Sequence, residues 1–253
     1  MIDLTKAKMA FKKYVSNYDI TDPNVELKIE HTYRVADVAL EVSKAIGENE
    51  ENQQLAELIG ILHDIGRFEQ LRIYHTFKDR ISIDHGNLGV EILKKDNFIS
   101  EFCDDPKYYD TIFKAIYNHN KFKIEEGITG EQLTQCKIIR DSDKIDILNL
   151  MRVKNLEYIY DRKDVENEQL TPGVYETIMN GAQPLRKDLK TDLDDYINML
   201  SFIYDIYYKK SFEILKEKNY INDLIDRAET NKNQEQMESM RKVINNYIAD
   251  KCK

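Results

Sequence analysis

The doublet His63-Asp64 closes a mostly apolar run, Glu57-Leu-Ile-Gly-Ile-Leu-His-Asp-Ile-Gly66, and puts an imidazole beside a carboxylate where core is expected. A buried carboxylate is costly unless a cation or several hydrogen bonds match it. On a helix the two side chains project about 100° apart, so they cannot satisfy each other. They can converge on one metal ion at the helix end. The chain has five histidines, and His31, His63, His85 and His119 each fall at or near a predicted helix terminus in its first half. Asp143, in Lys137-Ile-Ile-Arg-Asp-Ser-Asp-Lys-Ile-Asp146, adds a carboxylate inside an otherwise apolar helix. Imidazole with carboxylate suits divalent first-row transition ions, and magnesium less exclusively. Ligands this far apart in sequence must be assembled by helices that present inward side chains.

The elements that would position them read as helices. Residues 3–18 carry an apolar stripe of Leu4, Ala7, Phe11 and Tyr14 or Val15. Thr21-Asp22-Pro23 starts a second helix that ends at Gly47, with Ile29, Val35, Val38, Ala39, Val42 and Ile46 inward and His31 near its N-terminal end. A third spans Glu48 to Ile65, with Gly66 as its stop. Residues 67–84 read as loop or short turns, and Asp84 caps a helix through His85 to Leu93. Pro106 opens another, with Tyr109, Ile112, Phe113, Ile116 and Tyr117 inward and His119 at its end. After the loop Lys121–Gly130, Thr129 caps a helix through Leu133, Ile138, Ile139, Ile145 and Leu148.

Beyond about residue 160 the character changes. Residues 161–168 form a charged connection, and Thr171-Pro172-Gly173 and Gly181-Ala-Gln-Pro184 mark turns or helix starts. Leu193, Tyr196, Ile197, Leu200, Ile203, Tyr204, Tyr207 and Leu215 then suggest one long helix, and Met237, Met240, Val243, Ile244, Tyr247 and Ile248 a last one. The tyrosine-rich stripe has helical spacing, which favours packing over a base-stacking surface. This organisation predicts an all-α fold with a helical domain over 1–160 and a helical extension over 161–253, the latter a cover for the core or a subunit interface of a homodimer.

With 253 residues, 42% hydrophobic and 33% charged, the chain has the composition of an ordinary globular protein, and its four prolines and nine glycines leave long stretches free for helix. A formal charge of −9 argues against a nucleic-acid duplex as partner. No long apolar run and no signal-like N-terminus are present, so neither a membrane span nor a secretory leader is expected. Cys103, Cys136 and Cys252 lack metal-like spacing and read as reduced thiols, which suits a cytoplasmic location.

A distant His, then His-Asp, then Asp resembles the pattern of the HD-domain phosphohydrolase superfamily, metal-dependent hydrolases with a helical-bundle fold. Leu62-His-Asp-Ile-Gly66 is a close form of the family's doublet and Ser142-Asp-Lys-Ile-Asp146 resembles its closing motif. The resemblance covers residues 25–150 and implies His31, His63, Asp64 and Asp143 as ligands of one divalent ion, with Asp143 preferred over Asp141. His85-Gly-Asn-Leu-Gly89 and Ala115-Ile-Tyr-Asn-His119 resemble histidine motifs of those members that hold a second metal. Asp64 would then bridge two ions; with one ion, His85 and His119 would contact substrate or donate a proton to the leaving oxygen. The metal could be Mn, Fe, Ni, Co, Mg or Zn.

The implied reaction is hydrolysis of a phosphoester or phosphoanhydride in a small molecule, a nucleotide by preference. Arg67 and Lys144 stand next to ligand motifs and could neutralise phosphoryl charge, Lys144 resembling a phosphate-contacting lysine of nucleotide-cleaving members. Asn120-Lys-Phe-Lys replaces the Gly-Tyr-Pro element of the cyclic-dinucleotide phosphodiesterases, and Arg67-Phe68 replaces the acidic pair of the alarmone hydrolases. The pattern that follows the doublet in deoxynucleotide triphosphohydrolases is missing as well. His75 matches no ligand motif and reads as a loop histidine. Two other readings of the same residues are a di-iron oxygenase on this fold and a nucleotide-binding regulator without turnover.

Overall fold

A computed structural model describes residues 2–153, 169–230 and 232–253. The fold is all-α, and no strand occurs among the described residues. The chain divides into two compact units, Met1–Asp143 and Lys144–Lys253. The expected boundary at 160/161 and the charged connection at 161–168 lie outside the described residues.

The first unit contains α1 (Leu4–Val15), α2 (Pro23–Ala45), α3 (Glu50–Leu62), α4 (Ile65–Tyr74), α5 (His85–Lys94), α6 (Tyr109–Asn118) and the first part of α7 (Gly130–Val153). Four of these begin as their sequences dictate. The side chains of Asp3, Asp22, Asn49 and Asp84 accept from the backbone N–H of Lys6, Asn24, Asn52 and Asn87. Each such cap satisfies a donor the first turn leaves unpaired and contributes about 0.5–2 kcal/mol. At its other end α2 gives way to Gly47, whose φ of 80° is the left-handed conformation glycine adopts without strain.

α3 is the centre of this unit: every residue from Leu55 to Leu62 is buried. A helix apolar or small on all sides cannot lie on a surface. Around it Phe11, Val35, Phe68, Ile112 and Ile139 share one core. Its single buried acid, Glu57, is matched by Lys8 at 2.6 Å. α2 crosses it almost backbone to backbone, since a Cβ on Gly60 would lie 2.5 Å from Ala36 Cα.

Three expectations for this region change. Gly66 does not end the third helix. The break falls two residues earlier, at Asp64 (φ −104°, ψ 16°), and Gly66 lies inside α4. The glycine is needed for packing instead: a Cβ there would meet His85 O at 2.3 Å and Gly89 N at 2.8 Å, so it lets α4 lie directly on α5. The irregular stretch is likewise shorter than 67–84, because α4 runs on to Tyr74 and leaves only 75–84 as loop with a 3-10 turn at Asp79–Ile81. Phe68 and Gln70 are buried in α4, and Gln70 Nε2 donates to Asp79, Ser82 and the Ile83 carbonyl, so tertiary contacts hold this polar helix in place. His31, read as lying near the helix start, sits in the third turn of α2.

The second unit contains the end of α7 with α8 (Pro172–Met179), α9 (Asp192–Leu200), α10 (Lys209–Glu217), α11 (Tyr220–Ala228) and α12 (Gln234–Lys251). The single long helix expected through Leu193–Leu215 is two helices. After a 3-10 segment, Ile206 is extended (φ −98°, ψ 138°) and α10 starts afresh at Lys209. No glycine or proline marks the break. Tyrosine anchoring accompanies it: Tyr196 donates to the Leu224 carbonyl and Tyr204 to that of Ile178. Tyr204 also packs edge-on against Tyr247, in keeping with the packing role read from the stripe.

The close approach at Gly66 yields a stability prediction. Gly66→Ala should cost about 1–3 kcal/mol, the usual range for overpacking against rigid neighbours. Gly173→Ala, in a helix where an added Cβ meets nothing within 4 Å, should be neutral or mildly stabilising. Chemical denaturation of both variants measures this; equal midpoints would remove the packing argument.

Candidate metal centre

Asp64 sits at the junction of α3 and α4. It occupies the N-cap position of α4, yet its side chain caps nothing. The carboxylate points instead into a ring of imidazoles. His31 comes from α2, His63 from the end of α3, His85 from the first residue of α5, and His119 from the residue after α6. Asp143 comes from α7. All four imidazoles are buried, and Asp64 is 3% exposed.

Asp64 presents one oxygen to each of two groups. On the Oδ2 side, His31 Nε2 lies 3.5 Å away and His63 Nε2 3.6 Å, and the two nitrogens are 3.3 Å apart. Asp143 Oδ1 joins them, 3.2 Å from His31 Nε2 and 3.6 Å from His63 Nε2. On the Oδ1 side, His85 Nε2 is at 3.4 Å and His119 Nε2 at 3.8 Å, with 2.9 Å between them. Donors bound about 2.1 Å from one ion lie about 3.0 Å apart as octahedral neighbours and about 3.4 Å apart as tetrahedral ones. The separations in the two groups run from 2.9 to 3.8 Å, around those values, and His31-His63-Asp64 and Asp64-His85-His119 could each hold a metal ion, with Asp143 beside the first.

The protonation pattern points the same way. His63 Nδ1 donates to the Gly60 carbonyl at 2.7 Å and His119 Nδ1 to the Ile116 carbonyl at 2.6 Å. A carbonyl only accepts, so the proton of each ring is on Nδ1 and the lone pair is on Nε2. His85 Nδ1 donates to Asp79 Oδ2 at 2.6 Å. Neutral His85 and His119 therefore aim two lone pairs at each other across 2.9 Å, which a shared cation relieves. An additional proton is disfavoured: burial, then the Arg67 guanidinium, push His85 down to about 3, and burial lowers His63. Burial alone would raise the Asp64 carboxyl, but the Lys28 ammonium holds it well below the usual carboxylate range. Asp143 is likewise held below its ordinary value, against burial, through its contact with His31.

All six residues singled out as ligands thus converge. Of the two competing aspartates, Asp143 is the one whose oxygen lies beside His31 and His63; Asp141 is buried on the same helix. Arg67 reaches the cluster, its Nε 3.5 Å from Asp64 Oδ1. Lys144 forms an ion pair with Asp205 at 3.0 Å within the second unit. His75 is exposed and ends α4 in a left-handed conformation.

Two contributors escape sequence reasoning. Lys28 places Nζ 2.7 Å from Asp64 Oδ2, and its only signal was a position one helical turn before His31. Asp79 orients His85 from a loop with no periodicity, and nothing in the sequence marked it.

An all-helical unit thus gathers imidazoles and carboxylates around one shared aspartate, a donor set suited to divalent metal ions. Residues 29–148 match the family model described as HD domain, a span that contains all six converging residues. Residues 29–148, just under half of the chain, thus carry an HD domain, which supports a place among the metal-dependent hydrolases built on that domain. Comparison with curated proteins and with solved structures gives no match.

The depressed histidines make the metal-free fold acid-sensitive. In the unfolded chain His63 and His85 take up protons near their ordinary value of 6.5, whereas the folded chain resists, for His85 down to about 3. The unfolded state binds more protons in that window, so stability falls as pH drops through it. The depressed Asp64 and Asp143, ordinarily near 3.8, add to the loss only below about pH 4. The melting temperature in chelator should fall steadily from pH 7.5 to 5; a flat profile would contradict the neutral-imidazole assignment.

Proposed function

We propose that the chain is a two-ion phosphohydrolase acting on a phosphoester or phosphoanhydride of a small molecule, a nucleotide being the preferred class. The observation that carries this is the division of Asp64: Oδ2 faces His31, His63 and Asp143, and Oδ1 faces His85 and His119. In this reading His31, His63 and Asp143 would hold one divalent ion and His85 and His119 another, with Asp64 contributing to both sets. Divalent ions held so would lower the pKa of bound water and polarise the phosphoryl oxygens.

The chain's own residues supply orientation and charge. With their Nδ1 protons committed to Gly60, Asp79 and Ile116, His63, His85 and His119 are arranged as ligands, which disfavours His85 or His119 as proton donor to the leaving oxygen. Arg67 Nε is buried, faces Asp64, and has no hydrogen-bond partner. A buried orphan donor beside such a cluster is suited to a phosphate oxygen, where a charge-assisted hydrogen bond forms. Lys28 adds a second cation at the same carboxylate, 14% exposed and hence within reach of a ligand. Lys144, engaged with Asp205, is given no substrate contact in this reading. The acidic balance of the chain, −9, favours a small substrate over a polyanion.

Phosphate release across a panel of nucleotides and phosphoesters, with manganese, magnesium, nickel and cobalt supplied in turn, tests the proposal. Turnover should vanish in chelator. His63→Ala and Asp64→Ala should each lose more than the roughly 100-fold that removal of a merely orienting residue costs. Unchanged turnover in both variants would end the reading. Oxygen consumption with iron and no phosphate release would establish the oxygenase alternative instead, and tight nucleotide binding without turnover the regulatory one.

A further inference from the structure

Asp79 faces the outer nitrogen of a histidine, His85, instead of the shared centre. It lies in the 75–84 loop, in the 3-10 turn Asp79–Ile81, and its side chain is 31% exposed. Its two oxygens do different work. Oδ2 accepts from His85 Nδ1 at 2.6 Å and from Asn120 Nδ2 at 3.3 Å. Oδ1 accepts from Arg67 Nη1 at 2.8 Å and from Gln70 Nε2 at 2.9 Å. Arg67 Nη1 also donates to the Phe77 carbonyl at 2.6 Å, which fastens the loop to α4.

We propose that Asp79 is the positioning residue of the second donor set, holding His85 in the tautomer and ring orientation that aim its Nε2 at Asp64 Oδ1 and at the ion shared with His119. The proposal rests on the two-ion reading above. His63 and His119 are oriented by backbone carbonyls of their own helices, so their aim is built into local helix geometry. His85 is the first residue of its helix, where no preceding turn can supply a carbonyl, and a side chain from the loop does the same work. A carboxylate accepting from a ligand imidazole both fixes its tautomer and strengthens it as a ligand.

The donor pattern makes the side chain hard to replace. Both Asp79 oxygens act as acceptors, one toward His85 and the other toward Arg67 and Gln70. An asparagine must turn its NH₂ toward one side or the other. Facing His85, it imposes the Nε2–H tautomer, which has no lone pair for an ion. Facing Arg67 and Gln70, it sets donor against donor and loosens the loop that presents the acceptor.

Calorimetric titration of the full chain with manganese(II), alongside melting curves, tests this. Wild type should take up two equivalents, and His85→Ala only the tighter one. Asp79→Asn should weaken the second equivalent by about 10–100-fold and leave the first unchanged. Asp79→Glu, which keeps both acceptors on a longer arm, should weaken it by less. Should Asp79→Asn fail to fold, Asp79→Glu decides the matter by the same selective loss. If the folded Asp79 variants bind both ions as tightly as wild type, the assignment of Asp79 is overturned. Wild type taking up fewer than two equivalents would overturn the two-ion reading itself, and Asp79's role with it, before any variant is compared.

Discussion

A buried carboxylate that must be neutralised governs the first unit. Asp64 is 3% exposed, it ends one helix and begins another, and it caps neither. Placing a lone carboxylate there would cost several kcal/mol, so the surrounding helices have to deliver positive charge or hydrogen-bond donors to it. They bring Lys28 and Arg67 within 4 Å and four imidazoles around them. Three of these, His63, His85 and His119, are locked through Nδ1 and offer lone pairs, and lone pairs do not neutralise a carboxylate. The arrangement becomes electrostatically consistent as a receptacle for divalent cations.

Such convergence requires helices closer than side chains normally permit. At Gly60 and Gly66 the backbone of one helix lies against that of the next, and any Cβ would collide with backbone atoms. These two glycines flank His63-Asp64 on either side in sequence, so the doublet lies where α2 and α5 both approach the α3–α4 junction. Orientation of the rings is then largely local. A carbonyl three residues back fixes His63 and another fixes His119, so these donors are preorganised by the helices that carry them.

Much of this was legible in the chain itself. Helix starts at Asp22-Pro23 and Asp84 follow from capping chemistry, which is local, and the six ligand candidates came from the order of their motifs, which resembles that of the HD family. The stop assigned to Gly66 shows where local reasoning fails, since a glycine used for close packing and a glycine used to end a helix look alike in one dimension. The break near Ile206 shows the same limit from the other side: Leu193 to Leu215 keep helical spacing, and the contacts of Tyr196 and Tyr204 with distant carbonyls are invisible in it. Lys28 and Asp79 were missed because an ion pair or a loop hydrogen bond leaves no period in a sequence.

The sequence by itself determined the all-α class and the helix starts, and through its motif order it offered candidates for metal ligands, because residue chemistry and helical period are properties of short stretches. Only the tertiary structure decided that Asp64 faces both groups with separate oxygens, that His85 takes its orientation from a loop carboxylate, and that Arg67 keeps an unpartnered donor beside the cluster. Those outcomes depend on distances between segments tens of residues apart, and such distances are set by packing.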